Sequence, residues 1–292
     1  MFYLSLVTLI WGFSFSLVGV YLSDQVDPYF SVLIRLALSF FLFSPFLKFR
    51  GIPKILIIKL MLIGACQLGL MYSFYYQSFR FISVQEVISF SVFTPIYITL
   101  LYDFLKGSFS LYYLFSSIIS FYYLFSSIIS IIAVFFVQFR YFENDFLVGF
   151  FIVQFSNLCF AIGQTCYKHF IEEECFKLPQ KRIFGYFYCG ALFVAIIEFI
   201  WLGDFNRLPS NSLQWAVLIY LGLIASGFGY FMWNKGACMV NAGTLAVMNN
   251  ALIPVGLIVN LLIWNKDVNL VRVLISGSVL CLVLLFNAVY LK

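Results

Sequence analysis

The sequence predicts an all-α integral membrane protein of ten transmembrane helices, arranged as two inverted five-helix repeats. Three observations predict it. First, 63% of the 292 residues are hydrophobic and only 10% are charged, with a mean hydropathy of +1.02. A soluble fold of that composition would lack the polar surface to cover itself, whereas lipid can replace water around a helical bundle. Second, apolar stretches of about 20 residues, the length a hydrocarbon core requires, recur with short links between them. Third, the chain echoes itself. Gly69-Leu-Met-Tyr72, a polar link from Tyr76 to Glu86 and an apolar run into Pro95 return as Gly227-Phe-Gly-Tyr230, a link from Asn234 to Gly243 and a run into Pro254. Tyr72 maps to Tyr230 at an offset of 158 and Pro95 to Pro254 at 159 (230−72; 254−95). Such a period means two homologous halves, 1–140 and 141–292.

In chain order the spans are expected near 3–22, 29–47, 57–79, 86–104, 109–138, 146–168, 183–202, 213–233, 242–264 and 271–291. The first has no basic n-region and is long enough to cross, so it reads as a helix and not as a cleaved signal. Arg35 lies about two turns into the second. The third ends just beyond Tyr72, and the fourth opens at Glu86 and is broken by Pro95. The fifth is anomalous, because residues 121–130 repeat nine of the ten residues of 111–120. An uncharged run of about 30 residues would be about 45 Å long as a helix, against a hydrocarbon core of about 30 Å. One copy is therefore expected to pack in the bundle and the other to extend beyond it or kink. The sixth span carries Asn157 and Gln164, two turns apart on one face. The seventh carries Glu198, the eighth Tyr230 and Trp233, and the ninth Asn249, Asn250 and Pro254. The longest polar link, about 170–182, leaves no room for a soluble domain.

Basic residues orient the bundle. With the N-terminus in the cytoplasm, eleven lysines and arginines fall inside and five outside, with Arg35 within a span. Both termini are thus expected in the cytoplasm, and five helices per half invert the halves, the architecture of many secondary transporters. Other classes find little support. Seven cysteines without a CxxC pattern argue against a disulfide framework or a zinc site. The net charge of +5 is scattered between spans and forms no nucleic-acid patch. No cluster of His, Asp or Cys stands at catalytic spacing, so no enzyme, metal or cofactor is expected, and a channel would call for rings from symmetric subunits.

Leu9-Ile-Trp11-Gly12-Phe-Ser14-Phe in the first span, Ile34-Arg35-Leu-Ala-Leu in the second, Phe79-Arg-Phe-Ile-Ser83 leading to Pro95, and Met239-Val-Asn-Ala-Gly243 leading to Pro254 carry a resemblance. In order and spacing they resemble an EamA-type permease of the drug/metabolite transporter superfamily, over nearly the whole chain. The resemblance implies ten helices around a central cavity lined by spans 1, 3, 4, 6, 8 and 9. It also implies transport of small polar metabolites, amino acids or related zwitterionic or cationic compounds, by alternating access. A lipid or headgroup flippase, or a structural membrane protein, is the alternative. The expected location is the plasma membrane, in bacteria the inner membrane. Where the family commonly ends spans 4 and 9 in a Leu-Gly-Glu cluster, this chain has Tyr102-Asp103 and Asn265-Lys266-Asp267.

The two prolines point to a site. Each ring crowds the carbonyl four residues back and offers it no N–H, so Pro95 is expected to free the carbonyl of Ser91, and Pro254 that of Asn250. An orphaned backbone group in hydrocarbon must face protein, water or ligand. Ser91, Asn249 and Asn250 therefore mark either cavity lining or helix–helix bonding, with Trp11, Ser14, Tyr72, Asn157, Gln164 and Tyr230 on the same set of helices. Arg35 is costly in a span unless it snorkels, pairs or attracts an anion. Glu86 suits either a helix N-cap or proton coupling. Glu198 reads as a charge at lipid level or a substrate contact. His169 is expected in a solvated loop, and the phenylalanines against lipid.

Overall fold

The computed structural model describes residues 1–23, 25–48, 50–107, 144–173 and 179–264. The fifth and tenth expected spans, and with them the duplicated decamer, lie outside the described residues. Among those described, eight helices are long and apolar enough to cross a membrane, and no strand occurs. We label them α1 to α8.

Helix α1 (Phe2–Leu22) widens into a π turn over Val18–Leu22. Helix α2 (Pro28–Phe46) starts from Asp27, whose carboxylate accepts the Phe30 N–H at 2.8 Å, with Pro28 at a first-turn position that needs no N–H partner. Helix α3 (Lys54–Ser78) contains a π segment over Ala65–Leu70. Helix α4 is Val84–Phe90, one 3₁₀ turn at Ser91–Phe93, and Thr94–Lys106, stopped by Gly107 in a left-handed conformation at φ 61°. Helix α5 (Asn144–Glu173) runs past the expected end at 168, so His169 sits on a helix with its ring 3.4 Å from Glu173 and not in a solvated loop. Helices α6 (Phe184–Leu202), α7 (Ser212–Ala237, with a π segment over Tyr220–Phe228) and α8 (Ala242–Trp264) complete the described bundle.

The helices of the two sequence halves interleave. Helix α1 packs along α8 and α7, α2 along α6 and α7, α3 along α6 and α5, and α4 along α5 and α8. The tightest approach joins α3 to α6. A Cβ on Gly64 would lie 1.8 Å from the Phe187 carbonyl oxygen, and one on Gly190 would lie 1.9 Å from that of Met61. Backbone meets backbone there, the packing that small residues allow in a membrane.

The prolines act differently from expectation. Around Pro95 the helix tightens, and the Thr94 N–H donates to the Ser91 carbonyl. Ser91 is thus satisfied, and side chains of α5 reach the carbonyl of Phe90, one residue earlier. It accepts from Asn157 Nδ2 at 3.0 Å and Gln154 Nε2 at 3.2 Å on α5. Pro254 lies inside an unbroken helical run.

Candidate substrate cavity

Every described helix except α6 contributes to a central cavity with an empty volume of about 740 Å³. Seven of the residues expected at the site line it: Trp11, Ser14, Tyr72, Ser91, Asn157, Tyr230 and Asn249. Gln164 and Asn250 are fully buried but do not reach its wall. Arg35, Phe15, Tyr75 and Phe160 are also in the wall.

Arg35 is the chemical centre. It is 2% exposed, does not snorkel, and pairs with no carboxylate among the described residues. Its Nε donates to Ser226 Oγ at 3.1 Å, Nη1 to the Tyr76 hydroxyl at 2.9 Å and Nη2 to the Tyr72 hydroxyl at 2.8 Å. The guanidinium carbon lies 4.1 Å from the centre of the Tyr72 ring, within cation–π range. Tyr72 and Ser226 bond each other at 2.8 Å. These neutral oxygens take three of its five N–H donors, and no carboxylate among the described residues pairs with the positive charge.

The π segment of α7 builds this frame, because a wide turn turns carbonyls out of the helical ladder. Side chains of other helices collect them. Trp11 Nε1 donates to the Ala225 carbonyl at 2.8 Å, Ser39 Oγ to that of Gly222 at 2.9 Å, and Tyr188 to those of Ser226 and Gly227 at 2.8 and 2.6 Å. Trp11 is thereby fixed among aromatic neighbours, with ring centres 4.6 Å from Tyr230, 4.8 Å from Trp233 and 6.1 Å from Phe160. Ser14, Ser91 and Asn249 each turn a donor back onto a carbonyl of their own helix.

Glu86 lies outside the cavity. It closes a capping box with Ser83, accepting the Ser83 N–H at 2.7 Å while its own N–H donates to Ser83 Oγ at 3.4 Å. Glu198, on α6, accepts from Ser73 Oγ. At the arginine-bearing end of the bundle a second crevice of about 300 Å³ is lined by Arg80, Arg207 and Tyr76, the last also bonded to Arg35. At the lysine-bearing end, Lys168 is 2% exposed and donates to the carbonyls of Ala237 and Val240 at 2.9 and 2.7 Å. It also pairs with Glu172 at 2.8 Å, which in turn accepts from Tyr102 at 2.6 Å. Sequence reasoning overlooked this clamp, although the Lys168/Glu172 spacing of four is a helical ion-pair signal.

Helices long and apolar enough to span a membrane, around a polar, aromatic cavity, suit a transporter of small metabolites. The chain belongs to the EamA-like transporter family, whose model matches residues 1–137. It is 42% identical over 278 residues to the probable biotin transporter of Pseudomonas aeruginosa, covering 95% of this chain and 94% of that one. It is 42% and 41% identical to the biotin transporters of Salmonella typhimurium and Escherichia coli, each over 265 residues, covering 90% of this chain and 85% of theirs. A solved crystal structure superposes at a TM-score of 0.71 over 98% of this chain and 97% of that one, at 13% identity, and so shares the fold.

Proposed function

We propose that this protein carries biotin across the bacterial inner membrane, with Arg35 holding the substrate carboxylate. The guanidinium in the cavity wall, with no carboxylate partner among the described residues, is the observation that supports this most. A buried charge without a counter-ion is expensive, and a ligand carboxylate would supply two acceptors in the fork geometry that arginine matches. That favours an anion over the cationic and zwitterionic compounds first expected. Biotin is a monocarboxylate with a flat, neutral ureido ring system. The rings of Trp11, Tyr72, Tyr75, Phe160 and Tyr230 suit its apolar body, and Asn157, Asn249 and Ser91 suit the ureido group. Arg80 and Arg207 at the outer crevice would draw an anion inward. The wider architecture proposed is ten helices as inverted repeats, alternating access and cytoplasmic termini.

Proteoliposomes loaded with unlabelled biotin and diluted into radiolabelled biotin test this. Wild-type protein should exchange label, unlabelled biotin should compete, and biotin methyl ester, which lacks the charge, should not. Arg35→Gln should lower exchange about 10- to 100-fold, as expected for hydrogen bonds to a charged group worth about 1.5–3 kcal/mol, without loss of folded protein. Competition by the ester, or full exchange by Arg35→Gln, would overturn the reading.

A further inference from the structure

One to two turns from the cavity, toward the lysine-bearing end, lie three buried amides on packed helices. Gln67 on α3 donates through Nε2 to Asn234 Oδ1 on α7 at 3.2 Å. A Cβ on Gly163 of α5 would fall 2.2 Å from the Gln67 Cβ, so α5 presses on Gln67 at the residue before Gln164. Gln67, Gln164 and Asn234 are each 0% exposed. Yet among the described residues Gln67 Oε1, Asn234 Nδ2 and both polar atoms of Gln164 have no hydrogen-bond partner, and neither do Trp233 Nε1 and the Tyr167 hydroxyl. Buried polar atoms in native proteins are overwhelmingly paired. Six orphans on two packed helices and their neighbour are a concentration that packing alone does not explain.

Their position gives them a use. Gln67 is five residues from Tyr72, Gln164 four from Phe160 and Asn234 four from Tyr230, each about 6–7.5 Å along its helix. All three displacements run toward the end of the bundle that bears Lys54, Lys168 and Lys235. Between the cavity and the cluster stands Trp11, whose ring contacts both Tyr230 on the cavity side and Trp233 on the other. The orphans comprise acceptors, donors and one hydroxyl, with no charge. That set complements a neutral group carrying adjacent N–H and C=O, such as a urea or an amide, and offers nothing specific to a carboxylate.

We propose that Gln67, Gln164 and Asn234 form an inner binding station, closed in this conformation, that receives the ureido group of the substrate when Trp11 yields. The proposal rests on the reading of the cavity as the outer substrate site. The carboxylate on Arg35 and the ring on the amides would then be successive holds along one path. A water held by the amides is the competing account, and it predicts no role in transport.

Gln164→Leu separates them. The leucine removes two unpaired polar atoms, so the protein should melt at a higher temperature. Equilibrium binding of biotin to the purified protein should stay within about twofold, and counterflow should fall at least tenfold. Counterflow within twofold of wild type would overturn the station, and so would a lower melting temperature, which would show Gln164 to be paired in the fold. A second measurement does not depend on biotin. In a chain with its native cysteines replaced, Gln164→Cys should react slowly with a maleimide added at the lysine-bearing side, because the station opens in the other conformation. An unreactive cysteine there would overturn the station. Failure of wild-type protein to move biotin would remove the substrate reading alone, leaving the maleimide result to decide whether the amides line a path.

Discussion

Three hydroxyls replace the hydrogen bonds that water would give Arg35, but hydroxyls cannot cancel its charge. Other ionisable residues show the same separation between being bonded and being neutralised. Asp27, outside the spans, caps α2, and its burial pushes the carboxyl above its ordinary value. A carboxyl raised in the folded state adds stability at low pH that is lost as pH rises through the folded value. Asp27→Asn keeps the acceptor and removes the charge, so its melting temperature in detergent should exceed that of wild type near pH 8 and match it near pH 4. The carboxylates of the spans divide in a similar way. Glu86 is committed to the α4 cap, and glutamine can serve the same box, so Glu86→Gln should leave both stability and the pH response of uptake nearly unchanged. Glu198 has a hydroxyl partner and no basic one among the described residues, which makes it the better candidate for proton coupling. Glu198→Gln should flatten the pH dependence of uptake while counterflow persists, and an unaltered pH profile would exclude it.

At the scale of helices, irregular turns decide where polar groups appear. The π segments of α3 and α7 immediately precede Tyr72 and Tyr230, the residues related by the internal repeat. Glycines at 69 and 227 hinted at something unusual there, but a wide turn follows from packing against neighbours and has no sequence signature of its own. Pro95 did mark a break. The Ser91 carbonyl was not freed, because the chain tightened to a three-residue bond from the Thr94 N–H instead of leaving a gap. Arg35 was visible as an anomaly from hydropathy alone. Its environment was not, since Tyr76 and Ser226 reach it from helices 41 and 191 positions away. The α3–α6 seam was equally hidden, because Gly64 and Gly190 are ordinary glycines until the helices are brought together. Gly64→Val should abolish folded protein at that seam, read as loss of a monodisperse peak in detergent, since a side chain there would collide with the backbone of Phe187. Gly51→Ala, in a link where nothing lies within 4 Å, should instead cost only about 1 kcal/mol from its left-handed conformation.

For the molecule as a whole, composition and span length were enough to place all eight described helices to within a few residues, because hydrocarbon thickness constrains every span alike. The fifth span is where that constraint and the sequence disagree. Removing residues 111–120 should preserve folding and counterflow, since one decamer fills a span of about 20 residues, and loss of both would make the second copy part of the working structure. The matched order of glycine, tyrosine and proline in the sequence does not convey how the helices of 1–140 and 141–292 intertwine, which depends on contacts between residues far apart in the chain.

That intertwining bears on the mechanics of transport. Helices α3 and α6 come from different halves of the sequence, yet their backbones are in direct contact at Gly64 and Gly190, with no side-chain layer to act as a bearing. Movement between them can only be sliding or separation, because a closer approach would overlap the two backbones. Helix α3 also packs along α5, and α1 along α7, so contacts between residues of 1–140 and of 141–292 run through the whole described bundle. Arg35, Tyr72 and Tyr230 line the cavity together with Trp11, Ser91, Asn157 and Asn249, so a molecule held among them would touch helices from both ends of the chain at once.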